Sequence, residues 1–212
     1  MDTNDLIKAL AADNRRPGLP MNTVWSGVAI GALVLAGVVF SILLGPRPDI
    51  AAAAETVRFL FKFVVTIALA AAAFAAMRVA AWPDADPRKL IPYLAVAPAL
   101  VVGGVLLELL AVPSDTWTTK LVGTNYLVCM TFIPLIGVAP LALFLLALRH
   151  GAPSRPGLAG ALAGLAAGGI AATFYAAHCP DDSPLFVATW YTIAVLMLTV
   201  LGALGGRWAL RW

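Results

Sequence analysis

Long apolar runs separated by short, polar, turn-rich stretches make up most of the chain. The runs cover about residues 25–44, 59–81, 90–111, 126–148, 158–177 and 185–204. Each is close to the ~20 residues a helix needs to cross the ~30 Å hydrocarbon core of a bilayer. They are continuous, not alternating ten-residue segments, which disfavours a transmembrane barrel. Gly45-Pro46-Arg47-Pro48, Trp82-Pro83-Asp84, Pro113-Ser114-Asp115, Gly151-Ala152-Pro153 and the 178–184 stretch punctuate them. The pattern predicts an all-α, polytopic membrane protein. A six-helix transmembrane bundle is expected over 24–208, with a cytoplasmic leader at 1–23 and a short cytoplasmic tail at 209–212. Ala51-Ala52-Ala53 mimics a signal-peptidase site, but the first run is longer than the roughly 7–15 apolar residues of a signal peptide. It is read as a retained span.

The leader has a different periodicity. Asp2 or Thr3 can cap a short helix, and Leu6, Ile7, Leu10 and Ala11 recur at helical spacing as one apolar stripe. Lys8, Asp13 and Asn14 fall off that stripe, and Pro17-Gly18 ends the helix. Such an amphipathic helix either lies on the bilayer surface or docks its stripe into a partner's groove.

Composition supports the membrane reading. Hydrophobic residues make up 61% of the chain and charged residues 12%, about half the charged share of a soluble domain. The net charge of +3 comes without a basic cluster interleaved with aromatics, so no direct contact with nucleic acid is expected. The charges instead set orientation. Lys8, Arg15, Arg16, Arg78, Arg88, Lys89, Arg149, Arg155, Arg207 and Arg211 fall on the side of the N-terminus, and Arg47, Arg58, Lys62 and Lys120 on the other. By the positive-inside rule both termini are cytoplasmic and loops 45–58, 112–125 and 178–184 face outward. Aromatic residues near the expected interfaces include Trp25, Trp82, Tyr93 and Trp208 inside, and Trp117, Tyr126, Trp190 and Tyr191 outside.

Within the bundle, Gly160, Gly164 and Gly168 share one face of the fifth span. Small residues at this spacing allow close approach of two backbones, either within the chain or across a homodimer. Pro92 and Pro98 in the third span, and Pro134 and Pro140 in the fourth, remove backbone donors and predict bends.

The centres of the spans carry almost no ionisable groups, against what a transporter needs. Glu108 and Lys62 lie near outer span ends, where they pair with one another or snorkel outward. No metalloprotease, nucleotide-binding or hydrolase motif occurs, so no catalytic residue is assigned. The remaining chemistry is Cys129 and Cys179, both expected at the outer face, with His178, Asp181 and Asp182 beside the second. They do not form C-x-x-C, the usual thiol-oxidoreductase signature. Three readings stay open: a structural disulfide or inert thiols, a pair responsive to oxidants or thiol reagents, and a metal site built from Cys129, Cys179, His178 and Asp182. No resident cofactor is expected; a metal ion would enter only as a signal.

The opening Thr3-x-x-Leu6-Ile7-x-x-Leu10-Ala11-x-Asp13 resembles the leader of the NrsF family, the negative regulators of sigma F. Cys179-Pro180-x-Asp182-Ser183-Pro184-Leu185, followed by Trp190-Tyr191, resembles that family's second cysteine motif, and Cys129 stands where its first cysteine belongs. The resemblance covers leader, spans and both cysteines. It implies an inner-membrane anti-sigma factor that binds an extracytoplasmic-function sigma factor, partly through Leu6, Ile7, Leu10 and Asp13. It further implies release on oxidative or heavy-metal stress, with Cys129 and Cys179 as the sensing residues. With only about 23 residues ahead of the first span, inner loops 82–89 and 149–157 are expected to share the binding task. The competing classes are a membrane thiol oxidoreductase, which lacks a second cysteine pair for relay, and a small transporter, which lacks mid-membrane charge.

Overall fold

The structure is a computed structural model that describes residues 2–13, 21–83 and 86–210. Among the described residues every regular element is helical. A short helix, α1 (Thr3–Asp13), precedes α2 (Met21–Leu43). A brief turn of helix, α3 (Ile50–Ala53), leads to α4 (Val57–Ala80). The third span is divided into α5 (Ile91–Leu94) and α6 (Val96–Ala111). After α7 (Trp117–Val122) come α8 (Tyr126–Leu148) and α9 (Pro156–Ala176). The last span begins as α10 (Pro184–Phe186), passes through a π-helical turn at Val187–Tyr191 and continues as α11 (Thr192–Ala209).

Six of these segments are long and apolar enough to cross a membrane: Thr23–Leu43, Val57–Ala80, Pro92–Ala111, Tyr126–Leu148, Pro156–Ala176 and Pro184–Ala209. Their outer surfaces are apolar as well. Ile42, Leu107 and Leu110 are among many exposed aliphatic side chains, which suits contact with lipid and not with water.

Local chemistry explains the boundaries. Helix α2 stops because Gly45 adopts φ +70° and its N–H, like that of Leu44, turns back to Phe40 O; Pro46 follows and cannot continue the helix. Thr56 caps α4 by accepting from Phe59 N at 3.3 Å. Pro156 opens α9 at a position that needs no donor. Pro98 has no N–H for Leu94 O, and the third span breaks at Ala95, the residue after Leu94. By contrast, Pro134 and Pro140 sit inside a continuous α8.

Helix α9 is the centre of the bundle, packed by α2, α4, α8 and α11, whereas α6 lies at the edge against α4 and α10. The small residues of α9 are what allow this. A Cβ on Gly160 would fall on Gly202 O and Gly206 Cα, and one on Gly164 would fall on the Leu198 carbonyl. On the opposite side, Gly169 abuts the Ala70 backbone of α4 at 2.7 Å from its notional Cβ. The glycine face expected to serve either packing or dimerisation is therefore filled by α11 of the same chain, which removes the proposed homodimer surface at Gly160, Gly164 and Gly168.

Two expected interfacial aromatics are corrected. Trp25 and Tyr191 are buried in the core, at 2% and 3% exposure, Trp25 against the edge of Phe74. Trp82, Tyr93 and Trp208 are exposed as expected.

Candidate functional site

The polar groups of the bundle converge at one end, where α2 and α9 finish and α4 and α8 begin. The 178–184 stretch crosses this end and every polar side chain in it is tied down. Ser183 caps α10, accepting from Leu185 N at 3.3 Å, with Pro184 at the first helical position. His178 Nδ1 lies 2.9 Å from Gly45 O, at the carbonyl exposed by the termination of α2.

Asp181 performs a capping role at a distance. Its carboxylate accepts from Thr124 N at 3.0 Å and Asn125 N at 2.9 Å, and from the Thr124 hydroxyl. It thus satisfies donors at the start of α8, where an anion is favoured by the helix dipole. Gly123 makes this approach feasible: at φ +61° it leaves no Cβ to strike Phe186 or Asp181.

Asp182 is the centre of a charge cluster. Lys62 Nζ stands 2.5 Å from Asp182 Oδ1 and donates to Cys179 O at 2.8 Å, with no solvent exposure. Arg47 Nη1 reaches Asp182 Oδ2 at 3.1 Å and Cys179 O at 3.4 Å, while its Nε and Nη2 clasp Asp49. The ring of Phe59 lies under both cations, 5.9 Å from the guanidinium and 5.3 Å from the ammonium. A buried ammonium is tolerated only when its charge and donors are satisfied, and here a carboxylate, a carbonyl and an aromatic face do so. The Arg47 hydrogen bond holds the Asp49 carboxyl below the usual carboxylate range.

A second cluster lies beside it. Glu108 takes Arg58 at 2.9 Å and Lys120 at 3.3 Å, and accepts from Ser183 Oγ at 3.4 Å. Lys62 and Glu108, expected to pair with one another or to snorkel outward, each have other partners, because Asp182 of the loop takes Lys62 while Arg58 and Lys120 take Glu108. Among the described residues they are the buried charged side chains. Both sit near the ends of their helices that meet the 178–184 loop.

Beneath the charge cluster lie the thiols. Cys129 and Cys179 are both free and fully buried, belong to the same core cluster and lie within electrostatic reach of one another. Cys179 Sγ makes a weak contact to Asp181 O at 3.8 Å. Tyr175, whose hydroxyl donates to Asn125 O at 3.4 Å, and Tyr191 adjoin both sulfurs. Tyr191 Oη is buried with no hydrogen-bond partner. Burial pushes the Cys179 thiol up, and the nearby Lys62 ammonium pulls it back in part.

The structure therefore brings Cys129 and Cys179 together and leaves His178 and Asp182 engaged elsewhere, with Gly45 and with Lys62 and Arg47. Among the described residues no three of His, Cys, Asp and Glu gather as they would around an ion. Leu6 and Ile7 are exposed on α1, while the side chains of Leu10 and Asp13 lie outside the described ones. Sequence reasoning missed the parts played by Arg47, Asp181 and Gly123. The available signals were the only adjacent acidic pair in the chain and a lone lysine in an apolar run, which needs a carboxylate from somewhere.

The family described as "Negative regulator of sigma F" matches residues 10–212. The chain is 37% identical, over the full length of both, to the "Anti-sigma-F factor NrsF" of Caulobacter vibrioides. It is 32% identical, again over the full length of both, to the "Probable anti-sigma-F factor NrsF" of Azospira oryzae. No solved structure gives a significant match.

Proposed function

The chain belongs to the NrsF family of negative regulators of sigma F, and from that premise we propose that it is an anti-sigma factor of the bacterial cytoplasmic membrane. In this reading both termini are cytoplasmic. The leader, through Leu6, Ile7, Leu10 and Asp13, acts with the inner loops 82–89 and 149–157 to hold an extracytoplasmic-function sigma factor away from RNA polymerase. Oxidative stress in the envelope acts on Cys129 and Cys179 at the outer end and releases it.

One observation carries the reading. The two cysteines are buried together as free thiols beneath a clamped loop, at the end of the bundle remote from the leader. A peroxide supplies a balanced trigger. One thiol attacks the O–O bond and becomes a sulfenic acid as alcohol or water leaves. The second thiol then displaces water as the S–S bond forms. Two thiols and one peroxide thus give one disulfide, one alcohol or water, and one further water. Since both sulfurs are fully buried, the reaction is coupled to lifting of the loop, and covalent chemistry becomes a change in packing. About 5.5 kcal/mol of differential free energy takes a two-state equilibrium from 1:99 to 99:1; the ~4 kcal/mol at the upper end of a disulfide's usual contribution takes it to about 9:1. The oxidant is favoured over a soft metal because the His178 and Asp182 donors are already occupied.

Two experiments test the proposal. Deleting residues 1–20 is expected to abolish co-purification with the sigma factor; retention of the partner would show that the leader is not the docking element. Cys129→Ser and Cys179→Ser are each expected to blunt the transcriptional response to peroxide in cells. A full response in both variants would rule the thiols out as the sensor.

A further inference from the structure

We infer that Lys62 is the positioning residue that sets the reactivity of the Cys179 thiol, and that its ion pair with Asp182 holds that reactivity down in the resting protein. The inference builds on the reading of Cys129 and Cys179 as sensing thiols, but its test does not depend on any partner. Lys62 Nζ is fully buried, 2.8 Å from the carbonyl of Cys179 itself and 2.5 Å from Asp182. Its positive charge favours the thiolate of Cys179 against the upward push of burial.

The groups facing Cys179 come from every element packed around it. They are Lys62 on α4, Arg47 and Asp49 after α2, and His178, Asp181 and Asp182 on the loop. Tyr175 on α9, Tyr191 on the π turn and Cys129 on α8 complete the set. Arg47 and Lys62 face Asp49, Asp181 and Asp182, and Asp182 is the carboxylate that holds Lys62. Burial alone leaves the thiol protonated and inert. Lys62 is foremost among the nearby groups that favour thiolate, ahead of the Asp181 backbone and the Tyr175 hydroxyl, and Asp182 is its ion-pair partner. Whatever draws Asp182 away, by lifting the loop or neutralising its charge, exposes the sulfur to an unbalanced cation. The clamp and the activator are then the same lysine.

The test uses full-length protein in detergent with Cys129→Ser, so that Cys179 alone reports. Alkylation by N-ethylmaleimide is followed from about pH 7 to about pH 10, because only the thiolate reacts. Asp182→Asn removes one negative charge from beside the sulfur and leaves Lys62 without its carboxylate. It is expected to move the rate profile down by about one pH unit, giving about tenfold faster alkylation near neutrality. Lys62→Met combined with Asp182→Asn leaves the net charge of the cluster unchanged and avoids a stranded carboxylate; it is expected to react about tenfold more slowly than the parent. Lys62→Arg keeps the cation and is expected to retain the parent's midpoint. If Asp182→Asn reacts faster at every pH with an unmoved midpoint, the loop has merely loosened and the inference fails. It fails equally if the double variant matches the parent profile, or if no variant is alkylated at any pH. None of these outcomes bears on sigma-factor release, which the serine variants test separately.

Discussion

Gly123 occupies a backbone region, φ +61° and ψ −164°, that is essentially closed to other residues. A methyl group there would also meet Phe186 at 2.5 Å and Asp181 Cγ at 2.9 Å. Gly123→Ala is therefore expected to destabilise the protein by about 1–3 kcal/mol through backbone strain alone. It would also push Asp181 off the start of α8. Thermal unfolding in detergent checks the first effect, and faster alkylation of Cys129 the second. At this scale the sequence was only partly legible. The cysteine motif stood out because its residue types are rare in an apolar chain. The role of Asp181 did not, because a carboxylate capping a helix more than fifty residues away in sequence leaves no local periodicity to read.

Among the elements, α9 and α11 pack most closely, and their contact rests on small residues. A Cβ on Gly164 would collide with the Leu198 carbonyl and come within 2.8 Å of Thr199 Cα, whereas one on Gly27 of α2 meets nothing within 4 Å. Gly164→Val is expected to cost about 1–3 kcal/mol or more, since backbone cannot repack as a side chain can. Gly27→Ala is expected to be neutral or to stabilise by up to about 1 kcal/mol, the ordinary helix preference of alanine over glycine. Unfolding midpoints of the two variants measure the contrast. Element existence was legible because long apolar runs admit one explanation. Their irregularities were less so. The break at Ala95 follows from Pro98, but the π turn at Val187–Tyr191 has no marker in composition. Nor does sequence alone decide whether a glycine face meets its own chain or another; Gly202 and Gly206, spaced four apart on α11, were the partner signal.

In the whole molecule, the buried charged side chains among the described residues lie at one end of the bundle and small residues run along its axis. Counting Lys and Arg gave the orientation used in the proposed function, and the outer cluster explains why Lys62 stands as an exception within a span. That exception has a consequence for how the protein is made. Lys62 belongs to the second span, yet Asp182 is synthesised only after three further spans have emerged. Until then the ammonium has no carboxylate of its own and must reach for the outer interface. Arrival of the 178–184 loop draws it inward, so the clamp closes only once five spans have emerged. A chain ending at Ala177 is expected to be degraded quickly in cells, and Lys62→Leu is expected to slow that turnover in a pulse-chase measurement. If the substitution leaves the lifetime of the fragment unchanged, the unpaired lysine is not what quality control detects. The pair that restrains the thiols in the finished protein also marks, during biogenesis, the delivery of the loop that covers them.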